Sequence, residues 1–411
     1  MSFLSRFNRG LQGNVKLGMI NIHVTLTPFR YESRITKEVV TLKNKGVFKS
    51  ILIFALHEKG LPTNQKLIDG VEVRRLRLSS RLLPRTLLFQ PIKYLELVLI
   101  IIFSLSKLKI SSVNIHSVSL LPLGILLKQI HKCSLIYDAH ELETEISSSG
   151  AVRKNMAKII ERFCIKACDL TIVVSEGIAD WYEREHEIPR PTVVLNAPPA
   201  RDLQKKNFFR EKLKIREDQK ILLYQGGLSA GRGVSLLLSA FQRRRDDRIV
   251  VVFMGYGELE AEIRALASRF PNIFYFPAVA PDAVLEFTSS ADIGVSLIQN
   301  TCLSYEYCMP NKLFEYAMVG LPVVVSSMKD MSQFVTQHNM GVVVKELNPA
   351  SINHAINQLL SGDLMIMSKK AYQAAIDNAW EVQAKKMLAA YEKIGFFSSD
   401  SSGAAQQNEF V

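Results

Sequence analysis

The chain has 411 residues, of which 48% are hydrophobic and 22% are charged, and its formal net charge is +12. This length is enough for two domains with separate cores, and the composition excludes a mainly disordered protein. The positive charge favours a polyanionic partner, such as a nucleic acid, an anionic lipid or a phosphorylated substrate, without choosing among them. The five cysteines show no metal-type or redox-type pairing, which is typical of a reducing compartment.

Strand-like runs alternate with helical segments along the first half of the chain. A polar helix is predicted at 33–45, and the predicted strands are 19–26, 49–56, 112–116, 134–138 and 170–175. Continuous β-branched runs between amphipathic helices indicate parallel strands that are covered on both faces. The first half therefore reads as a doubly wound α/β unit.

Residues 193–220 interrupt this pattern with a Pro-Pro pair and a charge-rich stretch, which predicts a linker. The pattern then restarts, with strands predicted at 221–225, 249–255, 272–276, 292–297, 321–327 and 341–344. The sequence thus predicts an α/β protein with two doubly wound Rossmann-like domains, followed by a last helix and a disordered tail. The predicted boundaries are 1–198, 199–377, 378–396 and 397–411. Ligands of such sheets bind at the carboxyl ends of strands, so the expected site is a cleft between the two domains.

The most apolar run of the chain is 95–110. Its uncharged part, 97–106, is shorter than the roughly 20 residues of a membrane span. It predicts either a buried or half-buried helix or a helix that lies in a membrane surface. For the second possibility, basic side chains surround it at Arg81, Arg85, Lys93, Lys107 and Lys109.

A glycine-rich turn follows the strand predicted at 221–225, in the segment YQGGLSAGRG. Glycines let backbone N–H groups approach an anion, and the N-terminus of the following helix adds positive potential. Arg232 stands where a cation would clamp that anion. The segment differs from a Walker A loop because Arg232 and Gly233 replace Lys and Ser/Thr, so a P-loop ATPase is not expected. A plain strand–helix turn with a solvated arginine remains an equal alternative.

The segment MPNKLFEYAMVGLPVVV places Lys312 in the first turn of a predicted helix, where the helix dipole disfavours a cation. Glu315 lies near it on the same face. A lysine that binds a phosphate, beside a carboxylate that accepts from sugar hydroxyls, would explain both residues. The alternative is a local Lys–Glu ion pair worth about 0.2–0.5 kcal/mol.

Two histidines follow strands of the first half. His116 ends one predicted strand, and His140 follows the next in YDAHE. Both are expected at the cleft, where an imidazole could hydrogen-bond a sugar or phosphate or move a proton. Asp138 could instead cap a helix, and no cluster has convincing zinc spacing.

The ordered series YDAHE, VVSEGIADWY, VVLNAPP, YQGGL…GRG, MGYGE and PNKLFEYAMVGLPVV resembles the retaining nucleotide-sugar glycosyltransferases of glycosyltransferase family 4. The resemblance covers nearly the whole chain. It implies the GT-B fold, in which two Rossmann-like domains face a cleft and the C-terminal helix crosses back to the first domain.

The resemblance also implies site residues. Arg232 and Lys312 would hold the donor diphosphate and act in catalysis, together with His116 and His140 near the reacting sugar. Glu315 would accept from the ribose hydroxyls. The backbone at Gly226 and Gly227 would meet the phosphates or the donor sugar, and Gly255 and Gly257 would lie near the nucleoside.

The chain departs from the family pattern at two positions. The first glutamate of the family's pair should stand at 307, where this chain has Tyr307, with Glu306 beside it, so Tyr307 would take this donor-binding position. Gly227 replaces an arginine that is sometimes found after the first glycine of the loop. The family usually needs no metal, so we expect no cofactor besides the nucleotide-sugar donor.

The expected partners are a nucleotide-sugar donor, a polyprenyl-diphosphate-linked glycan acceptor and an anionic membrane surface, with no nucleic acid. The resemblance and the basic, apolar segment predict a cytoplasmic protein on the inner face of the plasma membrane, in bacterial surface polysaccharide synthesis. Alternatives are a nucleotide-sugar epimerase or a phosphorylase on the same fold, a relative without catalysis, and a nucleic-acid-binding protein. The last is disfavoured because the basic residues are spread out and no nucleic-acid-binding motif appears.

Overall fold

The computed structural model describes residues 19–84, 86–146 and 150–396. The tail predicted at 397–411 and the basic residue Arg85 therefore lie outside the described residues. The described chain forms two α/β units, each built on its own sheet.

The described part of the first unit contains eight strands and five α-helices. Its strands are β1 (Ile20–Val24), β2 (Ser50–Leu56), β3 (Asn64–Ile68), β4 (Val71–Leu76), β5 (Ile110–Ile115), β6 (Ser134–Ala139), β7 (Leu170–Val173) and β8 (Thr192–Val193). Its helices are α1 (Ser33–Asn44), α2 (Gln90–Leu105), α3 (Leu121–His131), α4 (Ala151–Cys164) and α5 (Glu176–His186). The strand order is β3-β4-β2-β1-β5-β6-β7-β8.

All neighbouring pairs of the first sheet are parallel except β3 and β4, which form an antiparallel edge. The sequence analysis missed both of these strands, because charged residues interrupt the hydrophobic run in VEVRRL. Arg75 of β4 is only 2% exposed. Its guanidinium donates to the carbonyls of Pro28, Phe29 and Pro62, so a charge stands where the pattern expected an apolar residue.

The second unit has six parallel strands in the order β11-β10-β9-β12-β13-β14. They are β9 (Lys220–Gly227), β10 (Ile249–Tyr256), β11 (Ile273–Pro277), β12 (Ile293–Ser296), β13 (Val323–Ser326) and β14 (Gly341–Val344). Its helices are α6 (Phe208–Leu213), α7 (Val234–Arg243), α8 (Glu260–Ala267), α9 (Val284–Thr288), α10 (Leu303–Glu306), α11 (Asn311–Met318), α12 (Lys329–Gln337), α13 (Pro349–Ser361) and α14 (Leu364–Asp377). All six strands were predicted from their β-branched runs.

The first sheet is covered by different helices on its two faces. Buried residues of α2, α3 and α5 pack into one apolar cluster, which includes Leu97, Leu127 and Tyr182. Residues of α1 pack into a second cluster. The predicted alternation of parallel strands with helices on both faces is therefore confirmed.

The last helix, α15 (Trp380–Lys393), returns to the first unit. The Trp380 backbone N–H donates to the Pro198 carbonyl at 2.9 Å, and its indole Nε1 donates to Thr41 Oγ1 of α1 at 2.9 Å. Tyr391 OH accepts from Asn114 Nδ2 of β5 at 2.5 Å. The chain thus passes between the units twice, at neighbouring points.

The apolar run at 95–110 forms most of α2. Leu97, Val98, Ile101 and Leu105 are buried against the sheet. Among the described residues, none of the helices combines the length and the hydropathy needed to cross a bilayer.

Candidate functional site

A cavity of about 630 Å³ lies where the carboxyl ends of both sheets face each other. The first unit contributes residues that follow β1, β6 and β7, and the second contributes residues that follow β9 to β12. The polar and charged side chains that line it include Arg34, His140 and Glu141 from the first unit, and Gln225, Arg232, Tyr305, Lys312 and Glu315 from the second. The cavity is of the size that small-molecule sites usually have.

The glycine turn after β9 borders this cavity at Gly226 and Gly227. Gly226 has φ +111°, a conformation that L side chains rarely adopt, and a Cβ there would lie 3.6 Å from Lys312 Nζ. The backbone of this turn is therefore close to the lysine amine. Such a turn can present backbone N–H groups to an anion.

The other glycines of these turns are needed for packing. A Cβ on Gly233 would lie 2.1 Å from the Leu297 carbonyl oxygen, and one on Gly255 would lie 1.9 Å from the Gly226 oxygen. A Cβ on Gly257 would lie 2.4 Å from the Leu228 oxygen. Gly255 borders the cavity, whereas Gly257 is not among its lining residues. The backbones at the ends of β9 and β10 thus approach closely because side chains are absent.

Lys312 lies in the first turn of α11, after Pro310 in extended conformation. Its Nζ lies 3.9 Å from the centroid of the Tyr224 ring, a cation–π contact. Burial, and then the charge of Arg232, lower the pKa of Lys312 to about 7. Within the described part of the chain, no carboxylate oxygen lies within 4 Å of this amine. The local ion pair with Glu315 is therefore not formed.

Arg232 is half-buried at the same cavity, with its guanidinium carbon 6.0 Å from the centroid of the Tyr305 ring. Like Lys312, it has no carboxylate partner within 4 Å among the residues that the structure describes. Two basic groups without a direct ion pair therefore face one partly enclosed space, which Glu141 and Glu315 also line. The positive potential beside these two groups favours an anionic ligand.

Glu315 is held by an amide. Its Oε2 accepts from Gln225 Nε2 at 2.5 Å, and Gln225 Oε1 in turn accepts from Thr288 Oγ1 at 2.7 Å. Burial raises the pKa of the Glu315 carboxyl. Gln225 thus fixes the orientation of a carboxyl group at the cavity, one turn beyond Lys312.

Tyr307 is placed elsewhere than the predicted donor-binding position. It is not among the residues that line the cavity. Its ring packs against the first unit, and its carbonyl accepts from Ser175 Oγ at 2.8 Å. Glu306 accepts from Asn300 Nδ2. Helices α10 and α11 are separate, so the eight-residue spacing does not put residue 307 on the face of Glu315.

Three histidines and an aspartate form a connected group at the first sheet. His116 Nε2 lies 2.9 Å from His23 Nδ1, and His116 Nδ1 lies 3.2 Å from Asp138 Oδ2. His140 Nε2 lies 2.8 Å from the same aspartate oxygen. His140 borders the cavity, whereas the side chain of His116 is 1% exposed and lies behind it. Burial lowers the pKa of His116.

Arg34 of α1 balances the charge of this group. Its Nη2 donates to Asp138 Oδ1 at 2.6 Å, and its Nε lies 3.1 Å from Glu38 Oε1. Burial opposes ionisation of Asp138, but the Arg34 guanidinium and the histidines hold the pKa of Asp138 well below its usual range. Burial and the Asp138 charge instead raise the pKa of Glu38. Asp138 therefore stays ionised and does not serve as a helix cap.

The donor atoms of this group lie within metal-binding reach of one another in two sets, His23–Glu38–His116 and His116–Asp138–His140. Sequence spacing could not reveal them, because their members come from β1, α1, β5 and β6. Arg34 occupies both Asp138 oxygens, so the positive charge beside the aspartate is supplied by the protein.

Sequence reasoning missed Arg34, Glu38, His23 and Gln225. The signal that could have indicated them is their position relative to the first strand. Arg34 and Glu38 are one turn apart on the helix that follows the first strand, and His23 is a polar residue inside an apolar strand. These are the places where a doubly wound sheet puts its site residues.

Comparison with known proteins finds similar sequences and folds. Residues 205–379 match the family model "Glycosyl transferases group 1". The chain is 23% identical over 249 residues to an uncharacterized glycosyltransferase, MJ1607, of Methanocaldococcus jannaschii, and 26% identical over 205 residues to the lipopolysaccharide 1,2-N-acetylglucosaminetransferase of Salmonella typhimurium. These alignments cover 56% and 46% of this chain and 62% and 52% of the relatives, so the chain spans less than two thirds of their length.

Among solved structures, sucrose-phosphate synthase from Thermosynechococcus elongatus superposes with a TM-score of 0.76 at 17% identity, over 92% of this chain and 99% of that one. At this identity the likeness concerns the fold. The chain has the GT-B fold, as its sequence predicted.

Proposed function

We propose that this GT-B chain, whose residues 205–379 carry a glycosyl transferases group 1 domain, moves a sugar from a nucleotide-diphosphate sugar to a glycan or lipid-linked acceptor with retention. The observation that carries the proposal is the pair of basic side chains without a direct ion pair, Arg232 and Lys312, beside the Gly226–Gly227 backbone. A diphosphate is the anion that such a space fits, because it offers oxygens to two cations and to backbone N–H groups.

These groups would also assist the reaction. When the glycosidic bond breaks, negative charge builds on the diphosphate, and the sugar becomes oxocarbenium-like. Arg232 and Lys312 would stabilise that charge electrostatically in a partly enclosed space. The proposal needs no metal ion, since two protein cations take that part. Same-face attack by the acceptor, with the leaving phosphate accepting the proton, gives retention.

Glu315 would bind the nucleoside end of the donor. Its carboxyl is oriented by Gln225 and can accept hydrogen bonds from the ribose hydroxyls. Gly255 is next to an apolar part of the cavity wall formed by Met254, Val279 and Val284. A base can lie against such a wall.

The first unit would receive the acceptor. His140 is at the cavity, and its Nε2 donates to the ionised Asp138, which leaves Nδ1 as the ring nitrogen that does not bond the aspartate. Asp138 and Arg34 thereby fix the ring, and His116 supports it from behind. We assign His140 the hydrogen bond to a sugar hydroxyl and assign Arg34 and Asp138 the positioning of that histidine.

The acceptor proposed is a polyprenyl-diphosphate-linked glycan of bacterial surface polysaccharide, such as lipopolysaccharide or capsule. The relative from Salmonella typhimurium, a lipopolysaccharide glycosyltransferase, supports this class. Such an acceptor lies in a membrane, so the enzyme would act at the cytoplasmic face of the plasma membrane as a peripheral protein.

The proposal is tested by calorimetric titration with UDP, GDP, ADP and pyrophosphate. Wild type should bind one nucleotide in preference to the others. Lys312→Ala should weaken that binding about tenfold or more, because a charged hydrogen bond is worth about 1.5–3 kcal/mol. Lys345→Ala, an exposed lysine after β14, is the matched control and should bind as wild type does.

Product analysis with the preferred nucleotide-sugar separates the alternatives. A glycosyltransferase releases the nucleoside diphosphate, whereas an epimerase returns an isomeric nucleotide-sugar. Absence of binding to every nucleotide, or binding that is indifferent to Lys312, would overturn the proposal.

A further inference from the structure

Helix α2 is apolar on two opposite faces. Leu97, Val98, Ile101 and Leu105 are buried, while Leu95, Leu99 and Phe103 are exposed, Phe103 to 60%. A helix on the surface of a water-soluble protein normally exposes a polar face. The outer face of α2 therefore has the composition of a surface that contacts something other than water.

Helix α4 carries a second apolar stripe, which the sequence analysis did not identify. Val152, Met156, Ile159 and Phe163 follow one another at spacings of four, three and four residues, which places them on one helix face. All four are exposed, and Phe163 is 75% exposed. Lys154 and Lys158 stand beside the stripe, each paired with Glu145.

Helix α3 joins the two stripes into one surface. It lies between α2 and α4, because the Leu123 N–H of α3 donates to Tyr94 OH of α2 and α3 also packs on α4. Its outward residue Ile130 is 50% exposed. Twelve of the eighteen large hydrophobic side chains that are exposed in the described part of the chain lie at 82–163. We call the outer faces of α2, α3 and α4 the docking surface.

The charge around the docking surface is positive. Residues 77–164, which span α2, α3 and α4, contain twelve lysines and arginines and six acidic residues, which is a net charge of +6. Lys107 and Lys109 stand at the C-terminal end of α2. An apolar surface with a cationic border matches a bilayer with anionic headgroups. A symmetric contact with a second copy would instead bring these like charges together.

We propose that the docking surface, with the α4 stripe as an essential part, binds the face of an anionic lipid bilayer. The exposed side chains of α2 and α4 enter the interface, and the lysines contact lipid phosphates. The inference rests on the proposed function and deepens it, since it names the surface that holds the enzyme at a lipid-linked acceptor.

The test is sedimentation of the full chain with vesicles of phosphatidylglycerol and phosphatidylethanolamine, and with vesicles of phosphatidylcholine alone. Wild type should partition to the anionic vesicles and lose this binding as salt is raised. The double variant Phe103→Ser/Phe163→Ser should bind the anionic vesicles at least about tenfold more weakly than wild type. Phe163→Ser alone should already bind them more weakly. Met365→Ser, an apolar residue 69% exposed on α14, is the matched control and should bind as wild type does.

Two results would overturn the inference. One is equal vesicle binding by wild type and Phe163→Ser. The other is a dimer in sedimentation velocity, without vesicles, that Phe163→Ser dissociates. Calorimetric titration of the double variant with nucleotide tests the proposed function separately. Nucleotide binding should not change, because Lys312 lies on the second unit and the docking surface lies on the first. Loss of vesicle binding with intact nucleotide binding supports the docking surface, whereas absent nucleotide binding in wild type concerns only the proposed activity.

Discussion

Tyr307 and Gly177 pack against each other across the two units: a Cβ on Gly177 would lie 2.3 Å from Cδ1 of the Tyr307 ring. Two hydrogen bonds flank this contact. Ser175 Oγ donates to the Tyr307 carbonyl, and the Gly177 N–H donates to Asp330 Oδ2, each at 2.8 Å. Asp330 of the second unit thus satisfies the first turn of α5 in the first unit. Tyr307 serves the contact between the units rather than the donor.

Replacing Gly177 by alanine should therefore hinder the approach of the two units. Filling a packed contact costs about 1–3 kcal/mol, so turnover should fall about tenfold or more. Nucleotide affinity should stay unchanged, because Arg232 and Lys312, which we propose bind the diphosphate, lie on the second unit. Steady-state kinetics and calorimetry measure the two quantities separately.

The matched control is the double variant Gly177→Ala/Tyr307→Ala. Removing the ring relieves the shortest contact of the new methyl group, while the Asp330 carboxylate would still lie 2.8 Å from it, so the double variant should recover part of the turnover that Gly177→Ala loses. Wild-type turnover in Gly177→Ala would show that this contact has no part in catalysis.

Donor binding should weaken as pH rises above neutrality. In the free protein the pKa of Lys312 is about 7. A bound diphosphate stabilises the protonated amine, so binding above that pH requires uptake of a proton and the affinity falls by up to about tenfold per pH unit. Below that pH the amine is already charged, and the affinity should be nearly constant. Calorimetry of the nucleotide-sugar from pH 6 to about 9 measures this.

Lys312→Arg supplies the control for the pH profile. An arginine stays protonated over this range, so the variant should bind with little dependence on pH. A slope that persists in Lys312→Arg would assign the titration to another group, of which Lys37 is the first candidate because its pKa is also lowered to about 7, chiefly by burial.

Asp138→Asn should lower turnover about hundredfold while nucleotide affinity stays the same. In this variant the asparagine oxygen accepts from Arg34, and the asparagine NH2 group faces His140. The Nε2 atom of His140 must then accept a hydrogen bond, so the ring carries its proton on Nδ1 instead. Kinetics with the acceptor present, compared with nucleotide calorimetry, tests this. Equal losses of affinity and turnover would point to general disruption of the fold instead.

Arg34→Met should destabilise the protein, because it leaves the ionised Asp138 buried without its partner. Breaking such a pair costs about 3–5 kcal/mol. The double variant Arg34→Met/Asp138→Asn removes both charges and should melt at a higher temperature than Arg34→Met alone. Thermal unfolding followed by circular dichroism measures the difference. A double variant that melts lower than either single variant would contradict the pairing.

Five strands of the first sheet and all six of the second could be predicted because each is a largely apolar run. The strands β3, β4 and β8 could not, since β8 has only two residues and Arg75 of β4 is buried by carbonyl groups that come from distant loops. The sequence could place Arg232, Lys312 and Glu315 at the cavity, because local motifs put them at strand and helix ends. Tyr307 was assigned from the family's spacing, and it lies outside the cavity lining because α10 and α11 are separate helices.

The group around Asp138 was beyond local reasoning for another reason. Arg34 and Asp138 are 104 positions apart, and His23 and His116 are 93 apart. Only the strand order, which sets β1 beside β5 and β5 beside β6, brings them together. Histidines at strand ends could be recognised, but the arginine that neutralises their aspartate could not.

The two passages of the chain between the units have a mechanical consequence. They lie side by side, joined by the bond from the Trp380 N–H to the Pro198 carbonyl. Two adjacent covalent connections permit rotation about the line through them and resist twisting or sliding in other directions. The opening and closing of the cleft is therefore restricted to a single angular coordinate. A protease that cuts one passage leaves the two units covalently joined through the other.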